Sequence, residues 1–129
     1  MPALLKWLDR YPYGCIEQTT STAMPLLLFN DLADLAGLPH DAALHDRVQN
    51  AIDRALDMQN YAGDFGMWGP GSDADAWVSV YALDFLNQAR LKGYVVPAEA
   101  LKRGSNWLRS AAANRSNDDE TRAYAFYVL

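Results

Sequence analysis

Two residues in this chain have the types and the spacing to react with each other. Cys15, the one cysteine among 129 residues, stands three positions ahead of Gln18 in the string Tyr11-Pro12-Tyr13-Gly14-Cys15-Ile16-Glu17-Gln18. Residues three apart on a helix lie on one face, so a thiol and a carboxamide placed this way meet within one turn. Attack of the thiol on the amide carbon, with loss of ammonia, would leave an internal thioester, which is a stored acyl electrophile. Water or any amine that reaches such a bond consumes it, so its neighbours must shield it, and Tyr11 and Tyr13 are placed to do so. Pro12 fixes φ and Gly14 accepts strained φ/ψ, which suits a tight entry into the ring. The bare spacing also fits a plainer reading, in which the lone cysteine is a small buried hydrophobe.

The elements that must position this pair read as helices throughout. No stretch sustains the period-2 alternation of a strand. A first helix is expected from about Glu17 to Ala36, with Thr19, Thr20 and Ser21 near its start and Gly37-Leu38-Pro39 as its stop. Pro25 is expected to disturb its first turns. A second runs from about Asp41 to Gln59, with Val48, Ile52 and Leu56 at four-residue spacing and Asp46, Arg47, Asp53 and Arg54 facing away. After a Gly/Asp-rich loop, Asn60 to Ser72, a third helix from Asp73 to Lys92 is apolar nearly all round and should be buried on most sides. A fourth, about Pro97 to Ala112, is amphipathic again, and a fifth begins near Asp118.

Buried and amphipathic helices thus alternate. A faint repeat, Val80-Tyr81-Ala82-Leu83-Asp84-Phe85-Leu86 against Ala123-Tyr124-Ala125-Phe126-Tyr127-Val128-Leu129, recurs after about 43 residues, the length of one helical hairpin. Hairpins with apolar inner helices and striped outer ones build either a solenoid or a closed α/α toroid, and the large aromatics of the inner set suit a crowded toroid centre. The inner, more buried set should be the helices near 17–36, 74–92 and 119–129, with those near 41–59 and 97–112 outside. Part of a toroid leaves its inner faces uncovered, so self-association is expected through them.

Composition removes several classes of function. Half the residues are apolar, 12% aromatic and 21% charged, the balance of a globular protein. The net charge is −5 and the 11 basic residues are scattered, so no basic patch awaits a nucleic acid. The longest apolar run, Met24-Pro25-Leu26-Leu27-Leu28-Phe29, is far short of the roughly 20 residues of a membrane span. One cysteine forms no internal disulfide and leaves the redox compartment open. Met1-Pro2-Ala3 leads into Leu4-Leu5-Lys6 without the pattern of a secretory leader, and the chain stops at Leu129 inside an apolar run. A piece of a longer protein is the expectation.

The fuller string adds a resemblance. Pro12-Tyr13-Gly14-Cys15-x-Glu17-Gln18 resembles the thioester signature of the complement component and alpha-2-macroglobulin family. Pro25 lies ten residues past the cysteine, as it does in that family. Gly63-Asp64-Phe65-Gly66-Met67-Trp68 and Ala76-Trp77-Val78-Ser79-Val80-Tyr81 look like its glycine/aromatic loop and the helix after it. Asp118-Asp119-Glu120-Thr121 is similar to the acidic start of a later inner helix. The match covers nearly all of the chain from Tyr11 onward. It implies an all-α fold in which residues 1–129 form the N-terminal part of an α/α toroid of six hairpins, with about two and a half hairpins present. Ile16 stands where animal members usually have glycine, and Tyr-Pro-Tyr-Gly-Cys is closer to bacterial members, which implies the periplasm or cell envelope.

The function implied by the resemblance is covalent protease trapping. A protease cuts a bait segment elsewhere in the whole inhibitor, the protein rearranges, and the uncovered thioester acylates the protease. Cys15 would be the leaving group and Gln18 the source of the acyl carbon, flanked by Tyr11, Tyr13, Gly14 and Glu17. Family members that esterify hydroxyls carry a histidine about a hundred residues past the cysteine. Ala111-Ala112-Ala113-Asn114-Arg115-Ser116-Asn117 has none, so lysine amines are the expected nucleophiles, while His40 and His45 are expected to be solvated loop and helix-start residues. The partners implied are target proteases and the other domains of the inhibitor. A trap spent in one turnover is no enzyme, and neither metal nor cofactor is called for. In the isolated chain, without those domains, the thioester should be lost and the thiol free.

Two rivals share the architecture. A toroid enzyme of terpene cyclase or prenyltransferase type would need carboxylates as proton donor or diphosphate-binding groups, and Asp73, Asp75, Asp118, Asp119 and Glu120 are the candidates. Those positions also suit helix-start residues. The other rival is a plain helical-repeat interaction domain in which Cys15 and Gln18 are incidental.

Overall fold

The computed structural model of the chain describes residues 15–37, 42–73 and 75–129. Five helices carry the fold: α1 Ile16–Leu35, α2 Ala42–Asp57, α3 Ala76–Leu91, α4 Ala98–Ala113 and α5 Asp119–Val128. Among the described residues the sole β pairing is an isolated antiparallel bridge between Gln59 and Phe65. Each expected helix is present, its ends within a few residues of the pattern reading.

The striped helices lie outside. In α2 the apolar stripe Leu44, Val48, Ile52 and Ala55 is completely buried, while Asp46, Asp53 and Asp57 face solvent. Helix α4 does the same with Ala100, Leu101, Leu108 and Ala111. The three remaining helices stand side by side: α3 packs against both α1 and α5, α2 covers α1, and α4 covers α3 and α5. Outer and inner helices therefore alternate along the chain, as in stacked hairpins. The core between the layers is filled by Ile16, Leu27, Val80, Leu83, Phe85 and Leu86 with the outer stripes.

Helix α3 stops by a glycine device. Tyr94 N–H donates to the Ala89 carbonyl at 3.1 Å and Gly93 N–H to that of Arg90 at 3.0 Å. This closure needs a left-handed residue after the cap, and Gly93 supplies it at φ 94°. Tyr94, held back by the turn, is buried and stacks its ring on that of His45 at 4.7 Å. His45 is thus exposed but stacked, and His40 lies outside the described residues.

Two expectations are corrected. Pro25 does not disturb α1, which runs unbroken from Ile16 to Leu35 with the proline inside it. The missing donor deprives the Ser21 carbonyl, and both residues sit on the exposed side, where solvent can take that carbonyl. The inner helices are also not uniformly the more buried set. Helix α3 has eight buried residues, but α5 has only Thr121 and Ala125. Leu28 and Leu32 of α1 are 52% and 63% exposed, and Phe126 and Tyr127 of α5 are 64% and 78% exposed. Even α3 leaves Leu91 exposed. An apolar pattern all round a helix reports the cover it can take, and here one face of the inner row has no neighbouring helix among the described residues.

Aromatic side chains tie α3 to α5. Trp77 lies 5.4 Å from Tyr81 and 5.7 Å from Tyr124 between ring centroids. The Tyr124 hydroxyl donates to Asp84 Oδ2 at 2.6 Å, and Gln88 Nε2 donates to Oδ1 of the same carboxylate at 2.9 Å. Burial, followed by the charge and hydrogen bond of Asp84, pushes the Tyr124 phenol well above its ordinary value. Tyr81 and Tyr124 hold matching places in the internal repeat, so the repeat is visible as neighbouring positions on adjacent inner helices.

Candidate functional site

The first turn of α1 brings Cys15 and Gln18 together. Cys15 precedes the helix as its cap residue: its carbonyl accepts the first helical hydrogen bond, from Thr19 N–H at 2.8 Å. Its own N–H donates to Gln18 Oε1 at 3.1 Å. Gln18 is the third helical residue, and a glutamine there reaching back to the cap N–H is one half of a capping box. The other half needs a side-chain oxygen on the cap residue, and Cys15 has sulfur instead. Cys15 is buried at 7% exposure, while Gln18 and Glu17 are exposed. Glu17 adds negative charge where the helix dipole favours it. Tyr11, Tyr13 and Gly14 lie outside the described residues.

The loop between α2 and α3 is pinned to this turn. Ile16 N–H donates to the Met67 carbonyl at 2.9 Å. Met67 is held in turn, its N–H donating to the Asp73 carbonyl at 3.1 Å, and Gly66 N–H donates to that of Met58 at 2.9 Å. Phe65 is completely buried, and its N–H donates to Ser79 Oγ in the first turn of α3 at 3.1 Å. Buried Gln59 fastens the loop from below, its Nε2 donating to the carbonyls of Gly63 at 3.2 Å and Ala100 at 3.0 Å. Gly66 is required by space, since a Cβ there would stand 1.8 Å from the Gly69 carbonyl oxygen and 2.6 Å from Ser72 Oγ. The contact between Met67 and Ile16 was not foreseen from sequence. The glycine density of the loop was its one signal, and it marks close packing without naming the partner.

Of the carboxylates nominated for a cyclase, Asp75, Asp118, Asp119 and Glu120 are helix-start residues, and Asp73 lies in the loop ahead of α3. Asp75 caps α3, its Oδ1 accepting from Trp77 N–H at 3.0 Å. Asp118 caps α5, its Oδ1 accepting from Thr121 N–H at 2.8 Å. Hydrogen bonds from Thr121 hold the Asp118 carboxyl below its ordinary value. Asp73, Asp119 and Glu120 are exposed. Among the described residues no three of His, Cys, Asp and Glu come together as ligands of a metal would.

A chain with this turn, this pinned loop and this helical order is matched by the family model described as the A-macroglobulin TED domain over residues 1–119. The chain belongs to the alpha-2-macroglobulin family. The alpha-2-macroglobulin of Escherichia coli K12 is 38% identical over 108 residues, which is 81% of this chain and 6% of that protein. The chain therefore spans a small part of the relatives it matches. Its fold superposes on a structure of Escherichia coli alpha-2-macroglobulin activated by porcine elastase, with a TM-score of 0.78 and 32% identity, covering 92% of this chain and 12% of that one. It superposes equally on Salmonella alpha-2-macroglobulin reacted with methylamine, with a TM-score of 0.79 and 33% identity, covering 99% of this chain and 9% of that one. The five helices are accordingly a fragment of the family's α/α toroid.

Proposed function

We propose that this chain is the thioester-bearing part of a covalent protease trap. The observation that carries the reading is the Gln18 carboxamide folded back onto Cys15 at the head of α1, in a chain of this family. Cys15 and Gln18 close an internal thioester by losing ammonia. When a protease triggers the whole inhibitor, a lysine amine of that protease attacks the acyl carbon of Gln18 and Cys15 leaves as thiolate. Reaction of the Salmonella relative with methylamine supports amine attack, and activation of the Escherichia coli relative by elastase supports proteases as triggers. Absence of histidine from Ala111 to Asn117 favours direct aminolysis over an acyl-imidazole route. Each thioester is used once, so the chain is an inhibitor module and turns over no substrate.

Residues 1–129 act here as the N-terminal part of a toroid within a longer inhibitor of the periplasm or cell envelope. The other domains, with Tyr11 and Tyr13, keep water from the bond. The uncovered apolar side chains of α1 and α5 drive self-association when the chain is alone.

Intact mass tests the reading. The natural full-length chain containing this sequence should be lighter than its sequence mass by about 17 Da, the ammonia lost, and methylamine should abolish the deficit and release one thiol. Full sequence mass before methylamine, with Cys15 already open to labelling, would refute it. The isolated 129-residue chain should show no deficit, because its bond stands without those covering domains.

A further inference from the structure

The hydrogen bond from Cys15 N–H to Gln18 Oε1, at 3.1 Å, bears on the chemistry as well as on the cap. Oε1 stays on the acyl carbon through the whole reaction. It is the amide oxygen before ring closure and the thioester oxygen during storage, and it carries the negative charge at each tetrahedral stage. An N–H already directed at that oxygen occupies the place of an oxyanion donor, and it needs no rearrangement as charge develops.

We propose that the backbone N–H of Cys15 is the oxyanion donor for both closing and opening of the thioester, with the Met67 carbonyl as the group that positions it. This inference rests on the thioester reading above. In closing, the Cys15 sulfur adds to Cδ of Gln18 and the carbonyl π pair moves to Oε1. Collapse breaks the C–N bond, and the nitrogen leaves as ammonia with the proton the thiol gave up. In opening, an amine lone pair adds to Cδ and the charge again falls on Oε1. Collapse then breaks the Cδ–Sγ bond, sulfur takes the pair, and the proton lost by the amine converts thiolate to thiol.

The positioning is tertiary. Ile16 N–H, the next amide along, is held by the Met67 carbonyl at 2.9 Å, which fixes the peptide between Cys15 and Ile16. Met67 keeps that place because Gly66 lets the loop fold tightly under Gly69 and Ser72. Gly69 itself is a matched control, since a Cβ there meets nothing within 4 Å.

The test compares Gly66→Ala with Gly69→Ala in the natural full-length chain, reading thioester content by mass and the rate of opening by methylamine. Gly66→Ala should close less completely and open about tenfold more slowly, because removing one oxyanion donor outright costs about a hundredfold or more. Gly69→Ala should stay within about twofold of the parent on both counts, as a change into open space should. If the loop were only a shield, Gly66→Ala would open faster. A parental or faster rate in Gly66→Ala, with a parental melting midpoint, would overturn the proposal.

Should Gly66→Ala fail to fold, the parent answers by itself. With glutamine labelled at Cδ with carbon-13, the infrared difference between closed and methylamine-opened protein isolates the thioester carbonyl. A band lowered from that of a labelled alkyl thioester in aprotic solvent supports the donor, and an unshifted band overturns it. A parent with no mass deficit is a separate outcome, which removes the thioester reading and this inference together.

Discussion

Helices α1 and α5 both begin with N–H groups that lack a partner in the helix, and they satisfy them in opposite directions. At α5 the cap residue reaches forward: the Asp118 carboxylate accepts from Thr121 N–H, three residues on. At α1 the third residue reaches back: the Gln18 carboxamide accepts from Cys15 N–H. Sulfur is a weak acceptor, so Cys15 is a poor choice for a cap. Helices α3 and α5 carry an oxygen there, in Asp75 and Asp118, whereas α4 starts at Pro97 with no side-chain cap. The contrast teaches that α1 forgoes a forward cap and keeps a cysteine whose backbone N–H holds a carboxamide. The same spacing that makes a half capping box is the spacing the proposed thioester needs.

The widest separation between these two kinds of helix start should come from Cys15→Ser. Serine is a strong cap, so the variant should gain up to about 1 kcal/mol in urea denaturation while losing the thioester completely. Function and stability would thus move in opposite directions. A variant that loses stability, or that keeps the mass deficit, would break the comparison.

A smaller effect is expected at α3. Asp75→Ala removes a cap of the ordinary kind and should cost about 1 kcal/mol, with no change in methylamine reactivity. Urea denaturation beside the opening rate checks both halves, and a changed rate would mean that the heads of α1 and α3 are coupled through the loop.

The smallest effect is a pH-dependent one. The Asp118 carboxyl is held below its ordinary value of 3.8 by the hydrogen bonds it accepts from Thr121. A group depressed in the folded state stabilises fully above its unfolded value, and that contribution is lost as pH falls through the folded one. Asp118→Asn, which still caps but does not ionise, should therefore lower the melting midpoint slightly at neutral pH and flatten its fall below pH 3.8, meeting the parent in acid. An acid limb identical to that of the parent would show that the carboxylate charge adds nothing at this end.

How much was legible in advance differs between these regions for one reason. The head of α1 is a contact between near neighbours in sequence, so spacing announced it. The striped faces of α2 and α4 were legible because a period near four residues is local too. Pro25 misled because the rule about proline concerns the helix alone, and the exposed side of α1 tolerates an unpaired carbonyl. The pin between Met67 and Ile16 joins residues about fifty apart, and nothing in either segment names the other.

By itself, then, the sequence determined the helices, their alternation, and the meeting of Cys15 with Gln18. All of these follow from periodicity and spacing within a few turns. Only the tertiary structure decided which apolar faces find cover and which stand open, as on α5, because cover depends on neighbours from distant segments. It also decided that the glycine-rich loop holds the backbone beside the thiol through one accepting carbonyl. A backbone carbonyl is present at every position and leaves no mark in the sequence; its direction exists only once the chain has packed.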